Sequence, residues 1–114
     1  MVSDPQKFHV KVRVYNKEIN FGKGVAQLLK LIAEKGSLSA AYRAMEMSSS
    51  KAWKILNRAE ADLGFALVEG SSGGKYGGST KLTKEGERLL KQYTLFEQDV
   101  QQYAQLSFNK YFQK

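Results

Sequence analysis

The amino-acid sequence predicts a mainly α-helical domain that carries one small β-hairpin and ends in a long helix. Apolar residues recur with helical spacing in several segments, a glycine-rich loop separates two short extended segments, and a final helical pattern covers residues 84–112. A chain of 114 residues can bury one modest hydrophobic core. We therefore expect a single domain over residues 1–114.

The first predicted element is a half-buried strand from Phe8 to Tyr15. Its apolar residues alternate with polar ones: Phe8, Val10, Val12 and Val14 share one face, and His9, Lys11 and Arg13 share the other. A turn over residues 16–20 follows, and a helix then runs from Gly24 to Gly36 with apolar residues at positions 25, 28, 29, 32 and 33. Gly36 is suited to end this helix because glycine readily adopts the left-handed conformation.

Two further helices follow within a short stretch of chain. Ser37 is a good N-cap for a helix from Leu38 to Met45, and the serines at positions 48–50 precede another helix over Lys51–Leu63 that Gly64 ends. The expected buried stripe of this third helix is Ala52, Leu56, Ala59 and Leu63. Two helices joined in this way form a helix-turn-helix.

The remaining chain predicts a hairpin and a long helix. Extended segments at Ala66–Glu69 and Thr80–Thr83 flank a loop with five glycines, and a helix follows from Lys84 to about Tyr111. Apolar residues of this last helix repeat with alternating spacings of four and three: Leu89, Tyr93, Phe96, Val100 and Tyr103. The seam predicts a homodimer built through this helix. The alternative is that the seam folds back on the strand and the chain stays monomeric.

The order of these elements is that of a winged helix-turn-helix, a fold that binds double-stranded DNA. In this fold the third helix enters the major groove, and its N-terminal turn contacts base edges. The outward side chains of the third helix are Ser49, Ser50, Lys51, Lys54 and Arg58. Hydroxyls and cations suit bases and phosphates, although a solvated helix face with a serine cap would contain the same residue types. The order of the elements favours contact with DNA over a merely solvated helix face.

Several stretches carry a resemblance to a known family: GSLSAA at 36–41, MSSSKAWKILN at 47–57, LVE at 67–69, GGKYGG at 73–78 and LTKEG at 82–86. Through them, Leu31–Leu90 resembles the N-terminal DNA-binding domain of ModE-type molybdate-responsive regulators and, more distantly, LysR-type regulators. The resemblance implies a bacterial transcriptional regulator. It places Ser48, Ser49, Ser50, Lys51 and Lys54 at the DNA-facing start of the third helix and Lys75 in the wing. Regulators of this type continue into a molybdate-binding domain, whereas this sequence stops at Lys114, so we expect no molybdate site within the chain.

The residue inventory argues against an enzyme. His9 is the sole histidine and the chain has no cysteine, so a transition-metal site and a nucleophile with a histidine base both lack parts. The glycine loop is not a phosphate-binding Walker loop, because Glu69 and Tyr76 stand where that motif needs glycine and Ser or Thr. We expect neither catalysis, nor a cofactor, nor a bound metal.

Charge and hydropathy define the expected partners. The net charge of +7 and a pI near 9.6 favour a polyanion, while no apolar run reaches the length of a membrane span. With no signal peptide evident, we expect a cytoplasmic protein that binds no membrane.

Trp53 is expected to pack in the core or against another domain. The alternative function is a winged-helix protein-interaction module without specific DNA binding, because Glu46, Glu60 and Asp62 dilute the positive charge.

Overall fold

The computed structural model describes residues 4–70 and 79–113. In these residues the elements, in chain order, are α1 (Lys23–Lys35), α2 (Leu38–Ala44), α3 (Ser49–Leu63), β1 (Val68–Gly70), β2 (Thr80–Leu82) and α4 (Lys84–Phe112). The predicted mainly helical fold with a hairpin and a long last helix is confirmed. None of these helices combines the length and the hydropathy needed to cross a membrane.

The hydrophobic core is centred on α1. This helix contacts α2, α3, β2 and α4, and its residues Leu28, Leu29 and Ile32 have no exposed surface. Phe21, Leu56 and Leu67 are buried beside them. Burial of each such side chain stabilises the fold by roughly 1.5 to 3 kcal/mol before chain entropy is subtracted. The apolar face that the sequence predicts for α1 thus meets α2, α3, β2 and α4, with Ala26 buried in place of the exposed Ala33.

The helix boundaries follow from local capping. Ser37 Oγ accepts the Ala40 N–H at 3.1 Å and begins α2. Gly36 and Gly64 adopt left-handed φ values of 71° and 85° and end α1 and α3, which confirms the predicted helix ends. The third helix begins at Ser49, earlier than the expected Lys51, because Ser48 alone is its N-cap.

The hairpin is antiparallel and is attached to the end of α1. Val68 lies opposite Leu82, and Glu69 lies opposite Lys81 with 3.8 Å between their charged groups. The Thr80 N–H donates to the Gly36 carbonyl at 3.0 Å. The predicted hairpin is therefore confirmed at its base, whereas Lys75 and the rest of its loop lie outside the described residues.

A tight junction joins the hairpin to α4. Thr83 Oγ1 donates to the Ala66 carbonyl at 2.7 Å and accepts the Gly86 N–H at 2.9 Å, so this side chain caps α4 and binds the start of the hairpin. A Cβ atom at Gly86 would overlap the Leu67 carbonyl. Glycine is required at this position because the first turn of α4 lies directly against the backbone that leads into β1.

Residues 8–14 form an N-terminal arm instead of the predicted strand. The expected alternation is present, since the apolar residues are partly buried and the polar residues are exposed. Among the described residues, however, the only ladder pairing of the arm is between Val14 and Phe21. The arm lies along α4, where the Val10 carbonyl accepts from Gln101 Nε2 at 2.8 Å and the Val12 carbonyl accepts from the Tyr93 hydroxyl at 2.7 Å. Side chains of a helix thus replace the neighbouring strand.

The apolar seam predicted for α4 is divided between two faces, which corrects the expectation of one intermolecular surface. Tyr93 is only 5% exposed, and its ring packs edge-on against Phe21 with centroids 5.2 Å apart. Burial raises the pKa of the Tyr93 phenol. Leu89 packs partly against the same core and Val100 is partly buried, whereas Phe96 and Tyr103 are 50% and 74% exposed. The division arises because the arm covers one side of α4.

Candidate nucleic-acid interface

Helix α3 has a narrow buried stripe and a broad exposed face. Ala52, Leu56 and Ala59 have no exposed surface, as the sequence predicted, while Leu63 is partly buried. The exposed face contains all the outward residues that were expected to contact DNA: Ser49, Ser50, Lys51, Lys54 and Arg58. These five side chains are therefore all accessible, and Lys51, Lys54 and Arg58 lie on one side of the helix because they are three and four residues apart.

Ser48 stands at the start of this surface with a structural role. Its hydroxyl oxygen accepts the Lys51 N–H at 3.2 Å, and it lies 3.4 Å from the Ser50 hydroxyl. This bond satisfies one of the free N–H groups of the first helical turn. The sequence assigned Ser48 to DNA contact, and the structure adds that the same side chain fixes the beginning of α3.

The cations of α3 are free to meet an external anion. Lys51, Lys54 and Arg58 are exposed, and in the described part of the chain none of them forms an ion pair with a carboxylate. Long cationic side chains on the outer face of a helix can reach phosphate oxygens or guanine O6 and N7 atoms.

The two acidic side chains at the C-terminal end of α3 bind backbone groups of neighbouring segments. Glu60 Oε2 accepts the Leu67 N–H at 2.7 Å, which holds the chain that leads into β1. Asp62 accepts N–H groups from the turn that follows the arm. The sequence analysis counted Glu60 and Asp62 as charges that dilute the basic surface, but their carboxylates are directed at backbone donors on either side of α3.

Asp62 accepts more backbone hydrogen bonds than Glu60 does. Its carboxylate accepts the N–H groups of Asn16 at 2.6 Å, Lys17 at 2.8 Å and Glu18 at 3.0 Å. These bonds, led by that from Asn16, lower the pKa of Asp62 from 3.8 to about 2, against the opposing effect of desolvation. The carboxylate thus ties the turn after the arm to the C-terminal end of α3. Sequence reasoning missed this role because nothing local to residues 16–18 identifies their acceptor.

Trp53 corrects the expectation that it packs in the core, while packing against another domain stays a prediction. The side chain is 48% exposed and does not belong to the core cluster of the described residues. One residue along a helix is a rotation of about 100°, so Trp53 lies at the side of the stripe that Ala52 begins. The ring is therefore largely accessible at the edge of the stripe.

A groove runs between the arm, the N-terminal end of α1 and α3. Cations from all three elements line it: Lys11 and Arg13 from the arm, Lys23 from α1, and Lys51 and Arg58 from α3. The sequence analysis placed the arm residues on the outer face of a strand and did not connect them with α3. A three-dimensional neighbourhood of this kind leaves no signal in local periodicity.

The residues that the structure describes contain no cluster of side chains that could hold a metal ion. No three histidine, cysteine, aspartate or glutamate side chains come together there. The chemistry of the exposed site is therefore that of hydroxyls, ammonium groups and guanidinium groups, which bind anions and base edges.

Comparison with known proteins finds a family and several relatives that match the helical region of the chain. Residues 26–87 match the family of bacterial regulatory helix-turn-helix proteins of lysR type. The DNA-binding transcriptional dual regulator ModE of Escherichia coli K12 is 40% identical over 77 residues, which cover 68% of this chain and 29% of ModE. The molybdenum-pterin-binding protein MopB of Rhodobacter capsulatus is 37% identical over 73 residues, covering 64% of this chain and 27% of MopB. The chain thus spans less than a third of the length of these curated relatives.

Solved structures confirm the fold. The DNA-binding domain of CbnR, in a crystal structure with DNA, matches with a TM-score of 0.58 at 24% identity and covers 74% of this chain and 91% of that domain. The full-length CbnR structure, a LysR family transcriptional regulator, matches with a TM-score of 0.58 at 23% identity, over 75% of this chain and 28% of CbnR. At this level of identity the likeness is one of fold.

Asp62→Asn should destabilise the fold at neutral pH, because an amide replaces the carboxylate that binds three N–H groups. A carboxyl group with a lowered pKa contributes stability above its unfolded pKa and loses that contribution as the pH falls through its folded pKa. The difference in urea midpoint between the wild-type and Asp62→Asn chains should therefore shrink as the pH falls from about 4 to about 2. Urea unfolding monitored by circular dichroism measures this difference.

Glu34→Gln is the matched control, since Glu34 is an exposed carboxylate of α1 with no hydrogen bond among the described residues. It should leave the urea midpoint at neutral pH nearly unchanged. A gap for Asp62→Asn that stays constant between pH 6 and about pH 2 would contradict the assigned role of the carboxylate.

Proposed function

The chain belongs to the lysR family of bacterial regulatory helix-turn-helix proteins, and from this premise we propose that it is a transcriptional regulator that binds double-stranded DNA in a sequence-specific manner. In this proposal α3 is the recognition helix and lies in the major groove. The role is regulatory and not catalytic. Because bacterial chromosomal DNA lies in the cytoplasm, the proposal implies a cytoplasmic protein.

The observation that carries the proposal is the composition of the exposed face of α3. Ser50, Lys51 and Lys54 lie near its N-terminal end, where short hydroxyls allow close approach to bases and cations can reach phosphates. The nearby carboxylates of Glu60 and Asp62 bind backbone N–H groups, which leaves the cationic face without an acidic partner among the described residues. Lys75 is proposed to contact the phosphate backbone from the wing, on the family resemblance alone.

Removal of two cations from α3 should weaken binding and reduce its salt dependence. Each phosphate contact contributes about 0.9 to the slope of log affinity against log salt, so Lys51→Ala with Lys54→Ala should lower the slope by up to about 1.8. Ser50→Ala should weaken binding to a duplex selected from a random pool but should leave binding to a scrambled duplex almost unchanged. Fluorescence anisotropy across a salt series measures both effects.

Lys30→Ala with Lys91→Ala is the control, since both residues are exposed, carry the same charge and lie on α1 and α4 away from the groove. Its slope should equal that of the wild-type chain. If the wild-type chain binds no duplex even at about 50 mM salt, the proposed function is wrong and the protein-interaction alternative is favoured.

We further propose that the protein is a homodimer joined through α4. The proposed surface is the outer stripe, which consists of Leu95, Phe96, Tyr103 and Leu106. All four side chains are at least half exposed. Leu95 and Leu106 are about three helical turns apart and Phe96 and Tyr103 about two, so the four lie within about 100° on one side of the helix. Burial of such side chains at roughly 1.5 to 3 kcal/mol each would oppose the entropy cost of association. A two-fold dimer would present two α3 helices to successive major grooves about 34 Å apart.

Phe96→Glu with Tyr103→Glu should dissociate this dimer, because each carboxylate would lose its hydration in the interface. Sedimentation equilibrium at tens of micromolar chain should give twice the chain mass for the wild type and the chain mass for the variant. Gln98→Glu with Gln105→Glu is the control, since it adds equal charge to another exposed side of α4 and should remain dimeric. A wild-type chain that sediments as a monomer would refute the proposed dimer.

A further inference from the structure

The N-terminal arm contributes to the same exposed surface as α3. Together with the N-terminal end of α1, the two elements line the basic groove, whose cations are Lys11, Arg13, Lys23, Lys51 and Arg58. The imidazole of His9 also lines the groove, and Glu97 of α4 is the acidic residue among the lining residues. All five cationic side chains are exposed. Their number against one carboxylate gives the groove a strong positive potential.

The backbone of the arm is held at several points, so the Cα atoms that carry its cations have defined positions. The carbonyls of Val10 and Val12, on either side of Lys11, accept hydrogen bonds from Gln101 and Tyr93 of α4. The Val14 N–H donates to the Phe21 carbonyl at 2.9 Å. Because successive side chains of an extended chain point to opposite sides, Lys11 is directed away from the partly buried valines.

Arg13 is positioned by a second contact. Its aliphatic stem lies over Gly22 at the start of α1, where an added Cβ atom would come within 3.1 Å of Arg13 Cγ. The stem thus packs on the backbone while the residue as a whole stays exposed. Gly22 directly precedes Lys23, the first residue of α1, and both Arg13 and Lys23 line the groove.

The arm and α3 are joined through Asp62. Its carboxylate binds the N–H groups of residues 16–18, immediately after the arm, while Lys51 and Arg58 of the same helix line the groove. The backbone of the arm therefore keeps a defined position relative to the face of α3. A backbone that is already held loses little freedom when a polyanion binds beside it.

We infer that the basic groove holds the sugar-phosphate backbone of DNA beside the base pairs that α3 contacts, so that the N-terminal arm is a second phosphate-binding element. This inference rests on the proposed DNA binding of α3. An extended polyanion suits the groove better than a small anion, because the cations are exposed and come from three separate elements. Phosphates recur along a DNA strand and can meet such a row of cations in turn.

Lys11→Ala with Arg13→Ala tests the inference in the full chain. Binding to a duplex of scrambled sequence and to a selected duplex should weaken by the same factor, because phosphate contacts carry no base information. The slope of log affinity against log salt should fall by up to about 1.8, as for two lost phosphate contacts. Lys30→Ala with Lys91→Ala is again the control of equal charge change and should keep the wild-type slope. Thermal unfolding verifies that each variant is folded. If Arg13 proves necessary for folding, Lys11→Ala alone replaces the double variant and should lower the slope of log affinity against log salt by up to about 0.9.

The outcomes separate this inference from the function on which it rests. If the wild-type chain binds no duplex, the proposed function itself fails. If the wild-type chain binds and Lys51→Ala with Lys54→Ala reduces the slope, but the arm variant behaves as the control does, DNA binding stands and the arm inference is overturned. A loss confined to the selected duplex would also overturn it, because the arm would then read bases. Inorganic phosphate that shifts the Arg13 NMR signals, without any effect of the arm variant on DNA binding, would identify a small-anion site instead.

Discussion

The arrangement of the whole molecule depends on the way in which α3 is held. The helix buries only a narrow stripe of small and aliphatic side chains, so packing alone leaves most of its surface free. Its two carboxylates supply the remaining constraints, because Glu60 binds the backbone before β1 and Asp62 binds the turn after the arm. Both contacts lie at the C-terminal end of the helix. The N-terminal end, with its serines and lysines, remains exposed and oriented.

Helix α4 has two distinct faces, and each serves a different part of the molecule. Its inner face binds the arm through Tyr93 and Gln101 and packs on the core, while Phe8 of the arm packs at a tilt against Phe108 with ring centroids 5.1 Å apart. Its outer stripe has no cover within the described residues. The molecule measures 63 × 27 × 22 Å, which reflects a helix of 29 residues with the arm lying along it. An extended helix of this kind gives an outer stripe the reach that the proposed dimer requires.

Local sequence signals were sufficient for most of the fold. Helical periodicity, the serine caps and the terminating glycines at 36 and 64 predicted the helices, because these effects act within a few residues. Features that depend on distant contacts could not be predicted. The arm lacks a neighbouring strand because α4 satisfies its carbonyls, the seam of α4 is divided because the arm covers Tyr93, and Trp53 is half exposed because the stripe of α3 is narrow. The exposed cations of α3 followed from periodicity, whereas the contribution of Lys11 and Arg13 to the groove required the tertiary structure.

The most direct measurement of the surface that binds DNA is an NMR titration of the isotope-labelled full chain with a short duplex. We predict that the largest amide shift changes fall on residues 48–58 and on the arm, while the outer stripe of α4 changes little. The backbone amides of the buried stripe should shift less than those of Ser50, Lys51 and Lys54. Shift changes centred on the outer stripe of α4, or a spectrum that duplex DNA leaves unchanged, would contradict α3 as the DNA-binding element.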